Sequence, residues 1–277
     1  MSRWLVRFGY DGLGFAGWAR QPGLRTVEGA LREGIPRTGV ALTIEEARLT
    51  VASRTDRGVS ARANALTLQS GLPPTAVLRA LNGIAPDIFF SAIAPVPDDF
   101  SARAATARWY RYFEPSEGHD IARWKEAATR FQGEVDVRSF GRDLAADRPA
   151  LRRIDSVRVR RSGSHWLWVD VRGPSFVWGM VRKIIAALRK IGAGTLALAR
   201  LEAALRGEER LTLPLAEPEG LVLWEVVYPV RWYREWDGPT RAQSRHLTDL
   251  TIRARLREAI GSSLPPGVAR VTTRRGH

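Results

Sequence analysis

The chain is 277 residues long, 44% hydrophobic and 26% charged, and it contains no cysteine. That balance supplies a core for one large domain or two of ordinary size, excludes disulfides and thiolate metal sites, and leaves no apolar run as long as a membrane span. Lys and Arg number 43 against 29 acids, a formal charge of +14 that is nearly all arginine, since lysine stands only at 125, 183 and 190. Arginine pairs bidentately with phosphate and stacks on bases, so this charge is the footprint of a polyanion binder. His119, His165, His246 and His277 are scattered, with no metal-ligand spacing. The start, Met1 to Trp4, lacks the apolar segment of a signal peptide. A soluble, cytoplasmic protein without a bound metal is expected.

Arg3 to Phe8 alternates large apolar and polar groups and reads as a strand. Tyr10-Asp11-Gly12 is a turn, and Thr26 caps a short helix through Leu31 with Glu28 in its first turn. Leu49 to Ala52 is a strand ending in a polar turn, and Ala63 to Leu68 is its hairpin partner. A helix near Thr75 to Leu81 stops at Asn82-Gly83. Ile88 to Ile93 is a strand. Pro95, Pro97 and two aspartates then break the pattern, placing the division between halves near residue 100.

The second half opens with a strand from Ala107 to Phe113, with Arg108, Tyr110 and Tyr112 on one aromatic-basic face. Asp120 to Phe131 is helical and stops at Gly133. Val157–Val159 and Leu167–Val171 form a hairpin around Ser162-Gly163-Ser164. Phe176 to Ile191 is a helix whose apolar stripe is Val177, Met180, Val181, Ile184, Leu188 and Ile191. A helix from Leu196 to Leu205 and a strand from Leu221 to Val227 follow. From Arg231 the chain turns polar and arginine-rich, and its last few residues are expected to be mobile. The layout is α+β with mostly antiparallel pairing. It divides into residues 1–100, 101–231 and a basic extension, 232–277, of unassigned role.

Within the turn after Ala52, Asp56 stands between Arg54 and Arg57 and is the only acid between Glu46 and Asp87. A neighbouring cation keeps a carboxylate ionised, which suits an anionic nucleophile or base. A plain surface turn also favours Asp, Gly and Ser for backbone reasons, so local pattern leaves both readings open.

Several motifs occur in a consistent order. They are Tyr10-Asp11-Gly12 with Phe15-Ala16-Gly17-Trp18 and Gln21, Thr26-Val27-Glu28, and Arg54-Thr55-Asp56 with Gly58-Val59. Leu81-Asn82-Gly83, Pro97 to Arg103 and Ala105 to Tyr112 come next. Phe176-Val177 through Met180-Val181-Arg182, then Glu219-Gly220-Leu221 with Val227-Tyr228-Pro229, complete the set. Over residues 3 to about 230 this series resembles the tRNA pseudouridine synthase A family. Arg57, Ser60 and Trp178-Gly179 depart from the bacterial pattern, where a small residue, a histidine and a pair of histidines are usual. The loop looks more like archaeal and eukaryotic relatives.

The resemblance implies the pseudouridine synthase fold, two α+β halves forming a curved sheet with a central cleft. It implies isomerisation of uridine to pseudouridine in the anticodon stem-loop of tRNA, near positions 38 to 40, without cofactor and by a homodimer. Asp56 matches the catalytic aspartate, Arg182 the residue paired with it, and Tyr110 the tyrosine that stacks on the target base. Phe176 is expected to wall the uracil pocket. Arg54, two residues before Asp56 along an extended segment, points the same way and is assigned to RNA binding and base flipping, which costs a few kcal/mol of unstacking. Arg108, with Arg20 and Arg103, is a phosphate-contact candidate, and Tyr112 is read as structural. The alternatives are the same chemistry at other tRNA positions, or a non-catalytic RNA-binding module. A metal-dependent nuclease would need clustered carboxylates, and the motif region offers one.

Overall fold

The structure, a computed structural model, describes residues 1–141, 150–233 and 238–263. The expectation of a mobile end falls on residues 264–277, outside the described residues.

An eight-stranded sheet runs through both halves. The first half supplies β1 (Ser2–Tyr10), β2 (Thr50–Val51), β3 (Ser60–Ser70) and β4 (Ile88–Pro95). The second supplies β5 (Ala107–Pro115), β8 (Ser156–Ser162), β9 (Trp166–Gly173) and β10 (Leu221–Val227). Their order is β4-β1-β3-β10-β5-β9-β8, with β2 paired on β3. The last strand in sequence therefore lies at the middle of the sheet and joins the halves. β10 is antiparallel to β5 but parallel to β3 through Val222 and Leu223, opposite Ser60 and Ala61. The other ladders of this sheet are antiparallel.

Alternation along the strands decides what each face buries. In β1, Phe8 and Tyr10 turn to one side, where their rings meet Trp18, Phe15 and Phe90 at centroid distances of 5.7–6.2 Å. In β5, Tyr110 and Tyr112 are buried in the core while Trp109 and Phe113 are half-buried on the opposite face. Arg111 is buried there too, held by Asp170 at 2.7 and 3.0 Å, with its guanidinium 4.1–5.2 Å from the rings of Trp109, Trp168 and Trp224. Polar satisfaction and ring contact together allow a charge under an aromatic cover.

The helices follow their caps. Thr26 Oγ1 accepts from the Gly29 amide, and α1 (Val27–Arg37) runs past the expected end at Leu31 because Ile35 continues the buried stripe of Val27 and Leu31. α2 (Pro74–Asn82) and α3 (Ile121–Thr129) lie within a residue or two of the expected spans, α3 capped by Asp120. α4 (Met180–Gly192) starts four residues later than expected, and α5 (Leu198–Leu205) starts two later. Two features escape the periodicity. A short hairpin joins β6 (Gly133–Asp136) to β7 (Leu151–Ile154). The arginine-rich extension contains a 23-residue helix, α6 (Arg241–Ser263).

Candidate active site

The turn after β2 is fixed from below before it presents any chemistry. The Tyr10 hydroxyl lies 2.8 Å from Thr55 Oγ1. The Trp18 amide donates to the Thr55 carbonyl at 3.0 Å, and the Asn64 side chain donates to the Ser53 carbonyl at 2.9 Å. Gly58 closes the turn with φ +81°, and a Cβ there would meet Pro218 at 3.3 Å, so both conformation and space ask for glycine. Asp56 is left lining a cavity of about 1280 Å³ to which residues of both halves contribute.

The other wall is the segment leading into α4. Gly179, with φ +76°, reverses the chain just before the helix. That turn puts Trp178 and Arg182, four residues apart, on one carboxylate. The Arg182 guanidinium donates to Asp56 Oδ2 at 2.8 Å, and the Trp178 indole donates to Oδ1 at 2.6 Å. Arg182 is itself held by its Nε on the Ala216 carbonyl at 2.6 Å. The side chains of Arg182 and Asp56 are 13% and 24% exposed, so the pair is largely dry yet open to a ligand from the cavity. Desolvation offsets the Coulombic gain of such a pair, so what its geometry supplies is orientation of the carboxylate.

Tyr110 and Phe176 line the same cavity, their rings edge-to-face with centroids 5.3 Å apart at 86°. Burial pushes the Tyr110 phenol above its ordinary pKa, and the nearby Asp56 charge adds to this against the lowering from Ser53 and Arg108. The phenol therefore carries its proton at neutral pH. Arg54 is exposed and lines the cavity, as do Arg57 and Arg103.

The structure thus brings together Asp56, Arg54, Tyr110, Phe176 and Arg182, five of the six residues singled out from sequence. Arg108 is placed differently. Its guanidinium donates to the carbonyls of Pro174 at 2.5 Å, Arg103 at 3.0 Å, Ala52 at 3.3 Å and Ala105 at 3.4 Å. It ties the turn before Phe176 to β2 and is not among the residues lining the cavity. Arg20 is exposed and is not among them either. Tyr112 is buried, donating to the Glu217 carbonyl at 3.1 Å and accepting from Arg189 at 3.2 Å. From sequence, Trp178 stands out as a departure and, on helical geometry, shares the Arg182 face with Ser175 and Arg189; its hydrogen bond to Asp56 is what the structure adds.

Among the described residues, no group of three His, Cys, Asp or Glu side chains could hold a metal ion, and no helix is long and apolar enough to cross a membrane.

Residues 127–229 match the family model described as tRNA pseudouridine synthase. A protein of Thermococcus kodakarensis named tRNA pseudouridine synthase A is 41% identical over 81% of this chain and 84% of its own length. A namesake from Thermococcus onnurineus is 35% identical over 96% of this chain and all of its own, and one from Methanothermobacter thermautotrophicus is 33% identical over 90% and 98%. Among solved structures, an archaeal box H/ACA sRNP Nop10-Cbf5 complex aligns at 11% identity and TM-score 0.31, over 66% of this chain and 44% of that one. A relative matched along its whole length settles membership: the chain belongs to the tRNA pseudouridine synthase A family of isomerases acting on tRNA.

Proposed function

We propose that this protein isomerises uridine to pseudouridine in the anticodon stem-loop of tRNA, near positions 38 to 40, with Asp56 as the essential carboxylate and no cofactor. The observation that carries the reading is the placement of Asp56. It lines one cavity with the edge-to-face rings of Tyr110 and Phe176, each of its oxygens held by a separate donor.

In the reaction the C1′–N1 bond breaks and uracil leaves with the electron pair. The base turns, C5 bonds to C1′, the C5 proton is lost and N1 gains one, so the formula is unchanged. In the glycal route Asp56 takes the proton from ribose C2′ as uracil departs and returns it when C5 attacks. Tyr110 stacks on the base, and its hydroxyl serves as a relay for the proton lost from C5, the oxygen accepting that proton as its own O–H proton passes on to solvent. Arg182 holds the carboxylate for its task. Arg54, exposed at the rim, meets the phosphate beside the flipped nucleotide or fills the space that it leaves.

A homodimer in the cytoplasm is part of the proposal. The half-buried aromatic face of β5, β9 and β10, with Trp109, Phe113, Trp168 and Trp224, is a surface that a second copy would cover. Light scattering should return twice the mass of the chain. The reaction is tested by incubating the protein with unmodified tRNA transcripts and reading each uridine by carbodiimide-stop sequencing. Stops near positions 38 to 40 are expected. Stops elsewhere in tRNA would replace the target, and tight salt-sensitive binding with no stops would favour an RNA-binding module.

A further inference from the structure

The two oxygens of Asp56 are not held alike. Oδ2 faces a guanidinium, a fixed charge anchored at the Ala216 carbonyl. Oδ1 faces an indole N–H at 2.6 Å, on a tryptophan whose ring is 50% exposed. An indole donates and never accepts, so Trp178 can hold a carboxylate but cannot relay its proton. The geometric consequence concerns rotation. The terminal torsion of an aspartate is broad and roughly two-fold, so a single hydrogen bond holds the plane loosely, within the range over which Oδ2 stays in reach of the guanidinium. A second donor on the other oxygen removes that freedom, and hydrogen bonds to a charged group are the strong ones. The turn at Gly179 places both donors from one segment, one before α4 and one in its first turn.

We infer that Trp178 is a positioning residue of this active site, fixing the plane of the Asp56 carboxylate against the reacting ribose through its indole N–H. The inference rests on the reading of Asp56 as the essential carboxylate. Its basis is independent of ring stacking on RNA, because it assigns the effect to the N–H.

The test compares wild type with Trp178→Phe, which keeps an aromatic ring and removes the donor, and Trp178→His, which restores an N–H on a smaller ring. Single-turnover rates at saturating tRNA are measured beside tRNA dissociation constants and thermal melts. Trp178→Phe should lose roughly 10- to 100-fold in the single-turnover rate, the scale of one hydrogen bond to a charged group. Its dissociation constant should stay within about twofold and its melt near wild type, since the ring is half exposed. Trp178→His should recover part of the rate. A wild-type rate in Trp178→Phe, a loss confined to the dissociation constant, or a folded Trp178→His no better than Phe would each overturn the inference. Asp56→Asn run in parallel separates the two readings: activity there would sink the role of Asp56 itself, whatever Trp178 does.

Discussion

At the scale of residues, the candidate site sets Asp56 between two donors, with Glu219 the other carboxylate among the residues lining the cavity. Asp56 was legible in the sequence because it is an isolated acid in a basic stretch and because an ordered series of motifs surrounds it. The same series led to Tyr110, Phe176 and Arg182, which the structure gathers around one cavity. Arg108 shows the limit of such reading. Strand periodicity tells which face a side chain takes, but not that four carbonyl oxygens will crowd around its guanidinium. Trp178 shows a second limit: helical periodicity places it on the Arg182 face, but not the left-handed turn at Gly179 nor the carboxylate that both side chains meet. Tyr110 yields a prediction of its own. Tyr110→Phe keeps the edge-to-face contact with Phe176 and removes the protonated hydroxyl. The single-turnover rate should fall by about 100-fold, within the range for a positioned proton-transfer group, with tRNA affinity little changed. An unchanged rate would reduce Tyr110 to a stacking platform.

Among the elements, most strands and helices follow their hydrophobic period, and the exceptions have separate causes. The start of α4 was misplaced because Val177 continues the apolar stripe, while Gly179 at φ +76° ends helical geometry there. The β6–β7 hairpin is only four residues per strand, too short for alternation to stand out. α6 lacks a pronounced apolar stripe, and its legible sign was the pair Thr240 and Gln243. The Thr240 hydroxyl accepts from the Gln243 amide at 3.2 Å, and Gln243 Oε1 accepts from the Thr240 amide at 2.9 Å, a capping box. The same glutamine is fully buried and donates to Asn82 Oδ1 at 2.9 Å and to the Ile88 carbonyl at 2.8 Å, which docks α6 on α2 and β4. Gln243→Ala should cost about 1–3 kcal/mol by leaving a buried acceptor without its donor and by weakening the cap. Chemical denaturation should show that loss with the single-turnover rate intact, because Gln243 lies outside the cavity wall.

Taken as a whole, the molecule joins two halves through one central strand, and residues of both line the cavity of the candidate site. The pairing of β10 with both β3 and β5 could not be read from sequence, since local pattern carries no register between distant strands. The buried phenols give the whole fold a signature in alkali. Desolvation raises Tyr10, Tyr110, Tyr112 and Tyr228 above the ordinary value of 10.0. The folded chain therefore keeps protons that the unfolded chain loses. Their contribution is fully present below that value and is lost as pH rises through the raised folded values. Denaturant midpoints should hold until about pH 9 and fall steadily beyond about pH 10, with the phenolate absorbance of four of the five tyrosines appearing together with unfolding, Tyr233 being exposed; a flat profile, or phenolate absorbance from more than one tyrosine ahead of unfolding, would contradict this burial. The central claim, that Asp56 does the chemistry in a cavity built to hold it, is tested most directly by Asp56→Asn on unmodified full-length tRNA under single-turnover conditions. The account predicts tRNA binding within a few-fold of wild type, a folded protein with a lowered melt, since the Asn amide faces a donor on one side, and no pseudouridine. Pseudouridine formed by that variant at a rate near wild type would contradict it.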